Sequence, residues 1–144
     1  MKKLFVVTVL SLLILPTFVS AHDDKDPRHI AMTTLGKNMK SIKRGLKAGQ
    51  ITPDMQKQAE EIHTIAKSLT GLFPVGKQKP DSRAKPEIWS DSTGFNKSNQ
   101  KFVLAAAAFS DALKSNDVSA GQTMQKQTGK TCGGCHKAYR LPKK

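Results

Sequence analysis

Apolar positions recur with a helical period in four stretches of the chain, and no stretch alternates with the strand period. The first opens at Asp26-Pro27, an N-cap residue followed by proline at the first helical position. Its stripe is Met32, Leu35, Met39, Ile42 and Leu46, spaced 3, 4, 3 and 4, as in a seam that faces a bundle. Gly49 closes it. The second opens at Thr52-Pro53 and carries Met55, Ala59, Ile62, Ala66, Leu69 and Leu72 on one face. A third runs from about Phe95 to Leu113, with Phe95, Phe102, Ala106, Phe109 and Leu113 in register, and a fourth from about Val118 to Tyr139, limited by Pro142. The expected fold is all-α, an antiparallel up-down-up-down four-helix bundle.

The connections are unequal. Only a few residues join the first helix to the second and the third to the fourth. Between the second and third lies Phe73 to Gly94, rich in Pro, Gly, Lys and Ser, with the only tryptophan at Trp89 inside Pro86-Glu87-Ile88-Trp89. A connection this long in a small domain is functional or disordered, and the apolar pair Ile88-Trp89 predicts that it folds back as a cover.

Residues 1–21 are set apart from this pattern. Lys2 and Lys3 precede an apolar run from Leu4 to Leu15, and Val19-Ser20-Ala21 follows. A basic start, an apolar middle and a small-residue end are the marks of a cleaved secretory signal. The run is too short to span a bilayer, and Pro16 sits near its end. The working chain is then residues 22–144, one domain and exported. It is strongly basic: 24 Lys and Arg stand against 11 Asp and Glu, a formal charge of +13 for the whole chain. A nucleic-acid partner is disfavoured, since the lysines are spread along the chain with no aromatic residues among them. A positive field that steers acidic protein partners fits better.

The two cysteines lie three positions apart, in Cys132-Gly-Gly-Cys135-His136. C-x-x-C-H is the attachment sequence of c-type haem: both thiols bond the porphyrin, and the histidine ligates iron. The i, i+3, i+4 spacing puts Cys132, Cys135 and His136 on one helix face. A thioredoxin-type pair would follow a strand, and this chain has none. A structural zinc site needs about four ligands, and only His22, His29 and His63 remain. A labile disulfide leaves His136 unexplained. One covalent haem c with its iron is the expected cofactor.

Topology then selects the second iron ligand. In the expected bundle, the start of the first helix and the end of the fourth lie at one end. Met32 stands six residues past Asp26, about 9 Å in, and His136 six residues short of Pro142. The long connection begins and ends there too, so Met32, His136, Trp89, Leu72 and Phe73 surround one haem slot. Met32 is the methionine placed to face the iron, against core packing as its ordinary role. His29 and His63 read as surface or rim histidines. Arg28, one turn before Met32, is either a partner for a haem propionate or a solvated helix-terminal arginine.

These residues resemble a family. Cys132-Gly-Gly-Cys-His136-Lys-Ala-Tyr-Arg140, Pro86-Glu-Ile-Trp89 and Arg28-x-x-x-Met32-x-x-Leu35-Gly36-Lys-Asn-Met39 are similar to the class II cytochromes c, cytochrome c′ and its low-spin relatives. The resemblance covers nearly all of residues 22–144. It implies a periplasmic bundle with one haem, His136 as proximal ligand and Arg140 beside the haem. The family divides at the position matched by Met32. Bulky apolar residues there leave iron five-coordinate and selective for nitric oxide or carbon monoxide, whereas a ligating methionine makes an electron carrier. Gly36-Lys37-Asn38-Met39 looks more like the low-spin branch.

The sequence therefore favours a single-electron carrier with Met32 and His136 on iron. The alternative is a five-coordinate binder of nitric oxide or carbon monoxide. An enzyme lacks support, since no carboxylate or histidine constellation stands apart from the haem motif. Expected partners are redox proteins, acidic ones in particular, and small gases. No stable membrane span is expected, and a homodimer is left open.

Overall fold

The structure, a computed structural model, describes residues 26–79 and 82–143. The expected signal at residues 1–21 lies outside the described residues. Four long helices are present: α1 (Pro27–Lys47), α2 (Pro53–Ser68), α4 (Ser92–Lys114) and α5 (Val118–Tyr139). A 3-10 turn, Leu69–Leu72, extends α2, and a single helical turn, α3 (Glu87–Ser90), lies in the long connection. Among the described residues there is no strand, only an isolated bridge between Ala84 and Arg140.

Each long helix starts on a side-chain cap, which satisfies an amide that the helix cannot. Asp26 accepts from the Arg28 amide at 2.9 Å, and Thr52 from Met55 at 3.3 Å. Asp91 accepts from Gly94 at 3.0 Å, and Asp117 from Ala120 at 2.9 Å. Two of these caps precede a proline at the first helical position. Gly49, at φ +71°, turns the chain out of α1, where a side chain would be strained.

Neighbouring helices run antiparallel around the bundle in the order α1, α2, α4, α5 and back to α1. Hydrogen bonds across the seams fix the directions. Asn38 donates to Glu61 at 2.7 Å, and Gln56 to the Leu113 carbonyl at 3.0 Å. Thr128 donates to the Ala105 carbonyl at 3.2 Å, and Gln122 to that of Leu46 at 2.9 Å. Ile42, Leu46, Ile62, Phe109 and Leu113 fill the core between them.

One expectation needs correction. The buried face of α1 is Ala31, Leu35, Asn38, Ile42 and Leu46, not the row led by Met32. Met39 is half-buried against the core, and Met32 is 36% exposed beside the seam. The helix is turned because Asn38, a polar residue, occupies a core position with its amide bonded to α2. The exposed edge carrying Met32 then faces α5.

The far ends of α1 and α5 are in close contact. A Cβ at Gly121 would stand 2.9 Å from Leu46 Cδ2 and 3.0 Å from Leu113 Cδ2. Only glycine admits the two leucines here.

At the other end, the connection between α2 and α4 is docked as a strap. Ala84, Ile88, Phe95 and Tyr139 form a second small core, with Phe73, Trp89 and Cys135 packed on it. The Trp89 indole N–H donates to the carbonyls of Phe73 and Pro74, each at 3.1 Å. Lys85 N donates to Tyr139 O at 3.0 Å, and Leu141 N to Arg83 O at 2.7 Å. The Arg83 guanidinium returns two bonds to the Leu141 carbonyl. The Tyr139 hydroxyl donates to Asp91 Oδ2 at 2.9 Å, joining the end of α5 to the cap of α4.

Two measurements check this packing by urea unfolding of the holoprotein. Gly121→Val should cost about 1–3 kcal/mol by overfilling the α1–α5 contact. Tyr139→Phe keeps the ring and removes one hydrogen bond, so it should cost about 0.5–1.5 kcal/mol.

Candidate haem site

Cys132, Cys135 and His136 lie within the last turns of α5, in unbroken helix. The spacing therefore does place all three on one face. Cys132 rests against the main core and Cys135 against the small core under the strap. Both are free, half-buried thiols, and burial pushes each above its ordinary pKa, with Cys132 adding to the shift at Cys135. His136 is pulled below its ordinary value, first by burial and then by the charges of Arg140 and Arg83. Its imidazole is neutral at neutral pH, the form that ligates metal.

The position of Met32 follows from helical register. Leu46 of α1 meets Gln122 of α5 directly. Met32 lies fourteen residues before Leu46, and His136 fourteen after Gln122. Both steps cover about 21 Å in an α-helix. In antiparallel helices these equal steps bring Met32 and His136 to the same depth. They also share facing sides: Lys43, Leu46, Gln122 and Gln125 border one cleft between α1 and α5. Met32 is eleven residues from Lys43, and His136 eleven from Gln125. Eleven residues are close to three whole turns, so each returns to its helix's inner edge.

Small residues flank the pair. A Cβ at Gly36, one turn after Met32, would meet no atom within 4 Å, and neither would one at Gly129, two turns before His136. Both glycines are exposed, and neither adds a side chain to the edges of α1 and α5 beside the pair.

Arg28 lies at the rim of this slot. Its guanidinium stands 5.5 Å from the Phe73 ring centroid, a cation–π contact, and its Nε is 3.8 Å from Asp26 Oδ1. Its Nη1 is buried, with no hydrogen-bond partner among the described residues. A buried guanidinium nitrogen in that state is a donor suited to a carboxylate. Two thiols and a neutral imidazole on one face, a facing thioether and an orphaned guanidinium donor together fit haem.

The other sequence candidates are placed less decisively. Trp89 is part of the strap and packs on the small core, but its N–H is already bonded to the Phe73 and Pro74 carbonyls. Arg140 is exposed just past α5, its amide donating to the His136 carbonyl at 3.1 Å. Sequence reasoning missed three residues near the site. Phe95 stacks edge-on with both Phe73 and Tyr139, with ring centroids 5.3 Å apart in each pair. Asp91 caps α4 and takes the Tyr139 hydroxyl. Lys79 pairs with Asp26 at 3.1 Å. Phe95 was legible as the first residue of the third apolar stripe, though not its place beside the site, and Asp91 left a signal as an N-cap residue shortly before that stripe.

The chain is similar to known proteins. The chain is 31% identical over 80 residues to a cytochrome c′ of Rubrivivax gelatinosus, across 55% of this chain and 62% of that one. It is 36% identical over 85 residues to cytochrome c-556 of Agrobacterium fabrum, across 57% of this chain and 55% of the relative. The aligned stretches span less than two thirds of either relative. Among solved structures, a ferrous variant of cytochrome c prime from Alcaligenes xylosoxidans with bound NO superposes with a TM-score of 0.74 at 24% identity, covering 81% of this chain and 91% of that one. Residues 24–140 match the cytochrome C′ family, so the chain belongs to that family of haem-binding cytochromes, with haem c and its iron as cofactor.

Proposed function

We propose that this chain is an exported, periplasmic haem c protein that binds nitric oxide or carbon monoxide. Cys132 and Cys135 carry the haem, His136 holds its iron, and Met32 closes the opposite side as a movable wall. The reading is supported by the match of residues 24–140 to the cytochrome C′ family and by the likeness of the fold to cytochrome c prime structures solved with nitric oxide or carbon monoxide bound. Met32 fits the role of a wall because an unbranched thioether has several rotors by which it can give way.

Haem supplies an iron centre that takes one electron and binds diatomic gases. The chain supplies the rest. Burial, Arg140 and Arg83 keep the His136 imidazole unprotonated, so its lone pair stays available as pH falls somewhat below neutral. Arg28 Nη1 offers a propionate the partner it needs. The strap and its aromatic cluster cover the cysteine side and limit water there. The basic surface suits an acidic redox partner that reduces the iron.

The electron-carrier reading remains as the second, because the same placement lets the Met32 thioether bond iron. Spectra separate the two. The purified ferrous protein should be high-spin and take up carbon monoxide readily. A low-spin protein with the near-infrared band of methionine-ligated ferric haem, closed to carbon monoxide, would establish the carrier instead. Met32→Ala should accelerate carbon monoxide uptake under either reading, by far more under the second.

Attachment is tested separately. Acid-acetone extraction should leave the colour with the protein, and Cys132→Ser with Cys135→Ser should abolish stable holoprotein. Haem that washes out of the unmutated protein would refute the assignment of the two thiols.

A further inference from the structure

The strap touches both lips of the slot. On the α1 side, Phe73 lies against the Arg28 guanidinium, and Lys79 Nζ stands 3.1 Å from Asp26 Oδ2. On the α5 side, residues 83–85 bond the backbone of Tyr139 and Leu141. α1 and α5 are pinned to each other at Leu46, Gly121 and Gln122, about 21 Å from Met32 along α1. The core holds Ala31 and Leu35 on the other side of α1, and the strap bears on the first residues of the helix from the side of the mouth.

Asp26 has an unusual share in that bridge. One carboxylate oxygen caps α1 through the Arg28 amide, and the other meets Lys79. The Asp26 side chain is 16% exposed and that of Lys79 is 48%. Burial would raise the Asp26 carboxyl, but the Arg28 amide and Lys79 outweigh it and hold it below its ordinary value. It is ionised at neutral pH. Met32 follows Asp26 by six residues on the same rigid helix.

We infer that Asp26 and Lys79 form a clasp that positions the first turns of α1, and with them Met32, over the iron. Both are positioning residues, and neither touches the haem. The inference rests on the proposed facing of Met32 and His136 across the haem. It adds that the strap, through one ion pair, sets how easily the distal side opens.

The test is carbon monoxide association with the ferrous holoprotein, followed by stopped flow. Carbon monoxide is uncharged, so a change in net charge does not steer it. Lys79→Gln and Asp26→Ser should each speed association by about threefold to fivefold, the scale of one partly exposed ion pair. Serine retains the helix cap. The double variant should be no faster than the faster single, and Lys79→Arg should restore the unmutated rate. Lys126→Gln, in the cleft at the far end, should change nothing. If the unmutated protein is low-spin and closed to carbon monoxide, the gas-binding reading fails. The clasp then shows as a higher high-spin fraction in Lys79→Gln and Asp26→Ser. Unchanged association and spin state in Lys79→Gln, or effects that add independently in the double variant, would overturn the clasp.

Discussion

Gly121 lets Leu46 and Leu113 close on α5, and Gln122 then bonds the Leu46 carbonyl. That contact fixes the depth and rotation of α1 against α5, and most of the site depends on it. Fourteen residues make nearly four whole turns, so a contact at one point is repeated on the same faces about 21 Å away. Slipping α1 by one residue would move Met32 by about 1.5 Å and rotate it by about 100°. It would no longer face His136. The chemistry at one end of the bundle is thus registered by packing at the other, where no cofactor residue lies.

The fold was legible where local chemistry is strong. Asp26-Pro27 and Thr52-Pro53 start helices in the sequence and in the structure, because a capping oxygen and a proline act within one turn. The start of α4 was set late, at Phe95 rather than Ser92, since its capped first turn is polar and carries no apolar stripe. The rotation of α1 was misjudged for a different reason. Counting apolar residues selects Met32 and Met39 over Ala31 and Asn38. Burial instead follows the whole bundle, and Asn38 is tolerated inside because Glu61 on α2 receives its amide. That partner is 23 residues away and invisible to any periodicity.

The site divides the same way. Cys132, Cys135 and His136 are spaced by the helix itself, so their shared face could be read directly. The strap could not be read, beyond its length and its apolar pair. Its anchors are largely backbone groups, Lys85 N on Tyr139 O and Leu141 N on Arg83 O, which any sequence could supply. The pairing of Lys79 with Asp26 joins two ordinary charged residues whose proximity depends on where the strap crosses the bundle.

A bundle that admits a wide group between two of its helices gives up side-chain contact there, and apolar packing cannot then hold the two lips at a set distance. Polar anchors are suited to that duty because hydrogen bonds and ion pairs fix distance and direction, whereas apolar contact is non-directional. The strap uses them on both lips: carbonyl and amide pairs at the end of α5, and Asp26 with Lys79 at the start of α1. Its own apolar residues, Ile88 and Trp89, supply burial against Phe95 and Tyr139. Ala31 and Leu35 hold one side of α1 on the core, while Phe73 and the pair of Asp26 with Lys79 meet the helix from the side of the mouth. On the proposed reading, the polar bridge is what holds that edge of α1 from the side of the slot.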